Sequence, residues 1–278
     1  MPEGTQYWCD AASTGELPLP DRGMEFGDGL FETLLCVDGK LLFPERHQVR
    51  LEQGFHQLGF NGPAPDLEAL VSPATEAIAQ STAAVLRLTL TRSAGLRGYA
   101  PGDGTAHRCV LRLTPLNHDP LSEPVPLSLG VAGIRLAHQP ALAGIKHLNR
   151  LEQVLAAGER EDSGFDELLM LDMQGVPIAT TAANIFIREG KTLSTPELAM
   201  CGIAGTRRAL ILEEWADTAG FRVQSCPLSL DSIREADEVF VCNSVIGVRS
   251  VTQFLDRVLN DHSAAAAIRQ CYLAAVAS

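Results

Sequence analysis

Gly144-Ile145-Lys146-His147-Leu148-Asn149-Arg150-Leu151 is the stretch on which the fold and the chemistry turn. It sets one lysine just after a glycine, at the expected start of an amphipathic helix with Leu148, Leu151 and Leu155 on one face. A lysine held on rigid backbone can aim its amine into a cleft. Desolvation there disfavours the ammonium form and makes the amine a nucleophile for a carbonyl carbon.

Upstream, residues 115–126 hold four prolines in twelve positions, which disfavours helix and central strand alike. A linker over 117–126 is expected there. It separates a smaller domain, 1–116, from a larger one, 127–278, that carries Lys146. In the first half, Gly29–Val37 reads as a strand, turning at Asp38-Gly39 into a second strand over 41–43. Pro44 opens a helix with Leu51, Phe55 and Leu58 at helical spacing. Residues 85–91 alternate as a half-buried strand does, and 109–113 form another. The second half gives strands over Leu127–Leu136, Glu167–Asp172 and 238–242, a hairpin over 184–195, and helices over 206–219 and 263–276. Helices and strands mix without regular βαβ alternation, which predicts an α+β fold.

Composition narrows the function. The 278 residues carry a net charge of -12, which argues against nucleic acid or an anionic membrane as partner. Seven scattered cysteines without a Cys-x-x-Cys pair point away from disulfides and zinc and towards a reducing, cytoplasmic setting. Met1 to Asp10 lacks a basic region followed by an apolar run, and no apolar stretch is long enough to span a membrane. Dinucleotide, phosphate-loop, zinc-protease and serine-elbow motifs are missing, and no histidine spacing supports a metal site.

Several segments nevertheless converge. Asp21-Arg22-Gly23 with Phe26-Gly27-Asp28-Gly29-Leu30-Phe31-Glu32-Thr33, then Arg46-His47-Gln48-Val49-Arg50-Leu51, the lysine stretch, Gly202-Ile203-Ala204-Gly205-Thr206-Arg207 and Val241-Cys242-Asn243-Ser244 occur in one order. Together they resemble the fold-type IV pyridoxal-phosphate enzymes, a group containing D-amino-acid and branched-chain aminotransferases and 4-amino-4-deoxychorismate lyases. Lys-His-Leu-Asn-Arg after Gly-Ile, and the glycine- and arginine-rich loop Arg92 to Tyr99, are most similar to the lyase members.

The resemblance implies a two-domain α+β fold of the D-amino-acid aminotransferase type, a homodimer, and pyridoxal 5'-phosphate as cofactor. It implies Lys146 as the catalytic lysine. Arg50, Gly205, Thr206, Arg207 and Ser244 would take the cofactor, and Thr33, Arg92, Arg97, Tyr99 and Asn243 the substrate. A lyase of this kind converts 4-amino-4-deoxychorismate to 4-aminobenzoate and pyruvate for folate synthesis. By residue type alone each position also has a plainer reading: a solvated lysine, exposed helix or loop arginines, a strand-end cap at Ser244, a core threonine at Thr33. One position departs from the pattern. The family's glutamate for the pyridine nitrogen, five residues before Asn184, is here Ala179. A weaker electron sink favours lyase chemistry, which gains from forming an aromatic ring, over transamination. Two alternatives remain: a D-amino-acid or branched-chain aminotransferase, and a catalytically impaired protein that binds the cofactor.

Overall fold

The computed structural model describes residues 3–93, 98–101 and 107–277. Contacts divide the chain into two compact units, Met1–Pro120 with Ile145–Asn149, and Leu121–Gly144 with Arg150–Ser278.

The first unit contains strands β1 (Gln6–Cys9), β2 (Gly29–Val37), β3 (Lys40–Leu41), β4 (Ala83–Arg92) and β5 (His107–Pro115). They pair antiparallel in the order β1-β5-β4-β2-β3. The β2–β3 turn is the expected tight one, with Asp38 at φ 47 and Gly39 at φ 76. Two positive φ values twist the turn to match the strands. The period of two then sorts the sheet's faces. Leu30, Glu32 and Leu34 of β2 share a buried face with Leu86, Leu88 and Leu90 of β4 and Leu111 and Leu113 of β5. The helix Pro44–Gln57 packs on that face, and Gly54 is what lets it come close. A Cβ on Gly54 would stand 2.7 Å from a Leu30 methyl carbon. The other face carries Phe31, Thr33, Arg87, Thr89 and Arg112 and is only partly covered.

The lysine stretch departs from expectation in two ways. It packs with the first unit rather than with the larger one, and it is extended rather than helical. Phe31 N donates to Lys146 O (2.9 Å), and Leu148 N to Gly29 O (3.0 Å), so residues 146–148 lie along β2. The helix starts only at Leu151 and runs to Ser163. Its supposed core face is exposed: Leu151 by 76% and Leu155 by 57%. Leu148 instead lies against Gly29, and the β2 backbone bonds take the donors a helix would have used.

The second unit contains β6 (Leu127–Leu136), β7 (Glu167–Asp172), β8 (Pro177–Thr180), β9 (Asn184–Glu189), β10 (Thr192–Thr195), β11 (Arg222–Ser225), β12 (Glu238–Asn243), β13 (Gly247–Phe254) and β14 (Arg257–Val258). They form one sheet, β11-β10-β9-β12-β13-β6-β7-β8, with β14 on β13. Pairs β10–β11, β13–β6 and β6–β7 are parallel, and the other pairs are antiparallel. Leu129, Leu169, Ile185, Val239, Val241 and Phe254 are among the side chains filling its core. A helix runs from Thr206 to Thr218 with one π turn at Ile211–Trp215. The C-terminal helix Ser263–Ala277 is tied down by Glu238, a fully buried carboxylate that accepts from Ala264 N, Ala265 N and Arg188 Nε. Among the described residues no helix is long and apolar enough to cross a membrane.

Gly29 fixes the lysine stretch against the sheet. A Cβ there would lie 2.4 Å from Leu90 O and 2.9 Å from Leu148 Cδ1. The backbone oxygen cannot move aside as a side chain can. Gly29→Ala is expected to destabilise the protein by about 1–3 kcal/mol in urea unfolding. An unchanged midpoint would contradict this packing.

Candidate active site

Lys146 is half-buried, while the other two lysines of the chain, Lys40 and Lys191, are exposed. Its Nζ lies 4.2 Å from the Phe31 ring centroid. The guanidinium of Arg87 lies 4.0 Å from the same centroid. A cation over an aromatic face is attracted by the ring's quadrupole, so Phe31 orients both. The backbone bonds to β2 fix the Cα of Lys146, and Phe31 guides the amine.

Behind Phe31, on the buried face, stands a charged cluster. Glu32 accepts from Arg50 Nε (2.8 Å) and Arg50 Nη2 (2.5 Å), and its Oε2 lies 2.6 Å from His47 Nδ1. Glu32, His47 and Arg50 are all buried. His47 and Arg50 are three apart on the helix Pro44–Gln57, which puts both over Glu32. Burial pushes the Glu32 carboxyl up, but Arg50 and His47 outweigh it and hold the group at about 2, against an ordinary 4.5. Arg50 was expected to take the cofactor. The structure gives its Nε–Nη2 edge to Glu32.

Arg92, expected to bind substrate, is instead structural. It is 4% exposed, donates to Asp28 Oδ2 (2.9 Å), Gly59 O (3.1 Å) and Leu58 O (2.7 Å), and lies over Phe60. Its position at the end of β4 brings it to Asp28, which it shares with Arg22. Arg22 in turn donates to the carbonyls of Gly98, Tyr99 and Ala100. The Tyr99 side chain is 85% exposed, with its ring edge against Phe26. Arg97 lies outside the described residues. Thr33 is half-buried on the Phe31 face, opposite Arg87.

In the second unit, Gly205 caps the helix that begins at Thr206. Asn184 Oδ1 accepts from Gly205 N (3.1 Å), and Asn184 Nδ2 donates to Ile203 O (3.0 Å). A Cβ at Gly205 would sit 2.1 Å from Asn184 Oδ1, so only glycine fits. The hydroxyl of Thr206 is buried and makes no hydrogen bond. An orphaned donor at a helix N-terminus, where backbone N–H groups also lack helical partners, is a place for an anion such as a phosphate. Taken by itself, the turn fits a phosphate such as that of the cofactor the sequence resemblance implies; in the first unit, Lys146 carries the amine that the aldehyde of such a cofactor requires.

Arg207 contributes differently from expectation. Its side chain is fully buried over the Tyr272 ring, with Nη2 3.5 Å from Ser244 O, so it supports the loop after β12. Asn243 likewise is no free substrate ligand. Its Nδ2 donates to Ala182 O, and its Oδ1 accepts from Val245 N and Ile246 N, shaping the turn that presents the half-buried Ser244. Ala179 sits half-buried on β8 opposite Met170. The nearby hydroxyls are engaged: Thr180 Oγ1 accepts from Ala183 N, and Thr181 Oγ1 donates to Glu167 Oε1 (2.6 Å).

Phe31, Glu32, His47, Arg87 and Asn184 were not singled out as site residues from the sequence. Two left a signal there: Glu32 is a charge inside an apolar run, and Arg87 is a charge in an alternating strand.

The model of the amino-transferase class IV family matches residues 29–254. An aminodeoxychorismate lyase from Vibrio harveyi is 34% identical over 248 residues, covering 88% of this chain and 90% of its own length. A D-alanine aminotransferase from Bacillus licheniformis is 25% identical over 238 residues, covering 84% and 81%. The crystal structure of 4-amino-4-deoxychorismate lyase from Pseudomonas aeruginosa superposes with a TM-score of 0.83 at 37% identity, covering 92% of this chain and 95% of that one. The branched-chain aminotransferase of Escherichia coli, at 19% identity and a TM-score of 0.82, shares the fold.

The Glu32 cluster has a pH signature. A carboxyl held below its ordinary value stabilises the fold fully above about 4.5, and this stabilisation fades as pH falls towards about 2. Glu32→Gln is expected to cost about 3 kcal/mol at pH 7 and to flatten the fall in stability between those two pH values. Urea unfolding at a series of pH values measures both, and identical slopes for the two proteins would contradict the assignment.

Proposed function

The chain belongs to the amino-transferase class IV family, and we propose that within it the protein is a pyridoxal-phosphate-dependent lyase. Its substrate is 4-amino-4-deoxychorismate, and its products are 4-aminobenzoate and pyruvate. The observation that carries this reading is the agreement of nearly the whole chain with two lyases, at 34% and 37% identity. The D-alanine aminotransferase stands at 25%.

When bound, the cofactor supplies an electron sink for the carbon bearing the substrate nitrogen. The protein's own groups do the rest. Lys146 Nζ, oriented over Phe31, takes the proton from that carbon and returns one to the enolpyruvyl fragment as its carbon–oxygen bond to the ring breaks. The Gly205–Thr206 turn holds the phosphate through backbone N–H groups and the Thr206 hydroxyl. Asn184 keeps that turn in place, and the buried Arg207 with Asn243 sets the loop that offers Ser244. Glu32 and His47 hold Arg50 in one orientation. Loss of the fragment makes the ring aromatic, so the reaction does not rely on a strong sink. This is compatible with Ala179, which cannot pair with a pyridinium.

The enzyme works as a homodimer in the cytoplasm. The exposed apolar stripe Leu151, Val154 and Leu155 supports association with a second copy, and seven unpaired cysteines support a reducing compartment. The acidic net charge fits a small-molecule enzyme rather than a nucleic-acid or membrane-surface protein.

A coupled assay with a synthase that supplies the substrate tests the reading. Wild type is expected to release 4-aminobenzoate, and Lys146→Ala to release none above background. Equal yields from the two, or rapid transamination of amino acids without 4-aminobenzoate, would contradict it. Ala179→Glu is expected to raise side transamination of D-alanine or leucine more than it raises lyase turnover. A larger gain in lyase turnover would show that the missing carboxylate limits the main reaction.

A further inference from the structure

Two arginines of the first unit are placed against each other. Arg87 on β4 stands directly opposite Arg112 on β5. Arg87 is half-buried and Arg112 exposed. Like charges placed opposite each other on neighbouring strands repel. Other arginines of this unit are answered by acids or carbonyls: Arg22 and Arg92 by Asp28, Arg50 by Glu32, Arg108 by Asp10 and Asp21. Among the described residues Arg87 has only the Phe31 ring, and neither it nor Arg112 has an acid or a carbonyl. Burial first, and Arg112 second, make the Arg87 guanidinium easier to deprotonate than usual. In a chain with 34 acidic and 22 basic residues, a repulsive arginine pair left without a carboxylate is a costly arrangement unless an anion comes to it.

We propose that Arg87 and Arg112 are a dicarboxylate-binding pair, each guanidinium taking one carboxylate of the same substrate molecule. Arg87 shares Phe31 with Lys146 and takes the carboxylate nearer the reacting carbon, which leaves with pyruvate. Arg112, one strand farther away, takes the ring carboxylate that remains in 4-aminobenzoate. The planar fork of arginine suits a carboxylate, and a dianion relieves the repulsion between the two cations. Thr33, opposite Arg87 on the other side, continues the same row across the sheet. The proposal rests on the lyase reading for the identity of the ligand; the pair itself does not.

The test uses the holoenzyme and benzene-1,3-dicarboxylate as the probe, with benzoate as control. Titration calorimetry is expected to give the dicarboxylate at least about tenfold tighter binding than benzoate. In Arg112→Gln the advantage should disappear, and KM for the substrate should rise more than kcat falls. Inhibition by 4-aminobenzoate should weaken in Arg112→Gln, and inhibition by pyruvate in Arg87→Gln. Without ligand, Arg112→Gln should melt no lower than wild type, because the substitution removes repulsion; this separates loss of the site from loss of the fold. Dicarboxylate affinity that is indifferent to both substitutions overturns the pair, even if the enzyme makes 4-aminobenzoate. Affinity that depends on Arg112 in a protein that makes no 4-aminobenzoate supports the pair and overturns the lyase reading.

Discussion

Two backbone hydrogen bonds, from Phe31 N to Lys146 O and from Leu148 N to Gly29 O, hold the rest of the chemistry in place. They draw residues 145–149 into the first unit, although the chain on both sides belongs to the second. The segment therefore cannot be the first turn of a helix. Each side chain along it then has a distinct fate. His147 is buried, Lys146 points its amine at Phe31, and Asn149 Nδ2 donates to Gly27 O. Gly27 and Gly29 have no room for a Cβ there, with the Asn149 side chain and Leu90 O in the way. The glycines around Asp28 thus serve the lysine rather than only their own turns.

Local rules were legible where local bonds decide. The Asp38-Gly39 turn, the helix opened by Pro44 and the hairpin of β9 and β10 all stand where propensity and spacing put them. The order of motifs was enough to identify the fold. The lysine stretch was misread because its helical spacing was outweighed by pairing with a strand more than a hundred residues earlier, which periodicity cannot register. Its apolar stripe is real, but the structure leaves it exposed on a helix that starts later. Leu148, counted as part of that stripe, belongs to the packing on Gly29 instead.

The polar residues teach a related lesson. Arg92, Arg207 and Asn243 were named for ligand contacts, yet all three are engaged inside the protein. Sequence gives the type of a side chain but not whether an acid, ring or carbonyl already satisfies it. Once those partners are known, the reading inverts. The engaged arginines are framework, and Arg87 and Arg112, which face each other across two strands, are where an anion is needed. The same logic marks Thr206, whose buried hydroxyl has no partner and so identifies the phosphate turn.

The most direct test of the account is where the cofactor attaches. The chain has three lysines, so the question has few answers. Borohydride reduction of the holoprotein followed by peptide mass mapping should place the pyridoxyl group on the peptide containing Lys146, with Lys40 and Lys191 unmodified. A pyridoxyl group on either of those exposed lysines, or on none, would contradict the assignment of Lys146 and of the chemistry built around it.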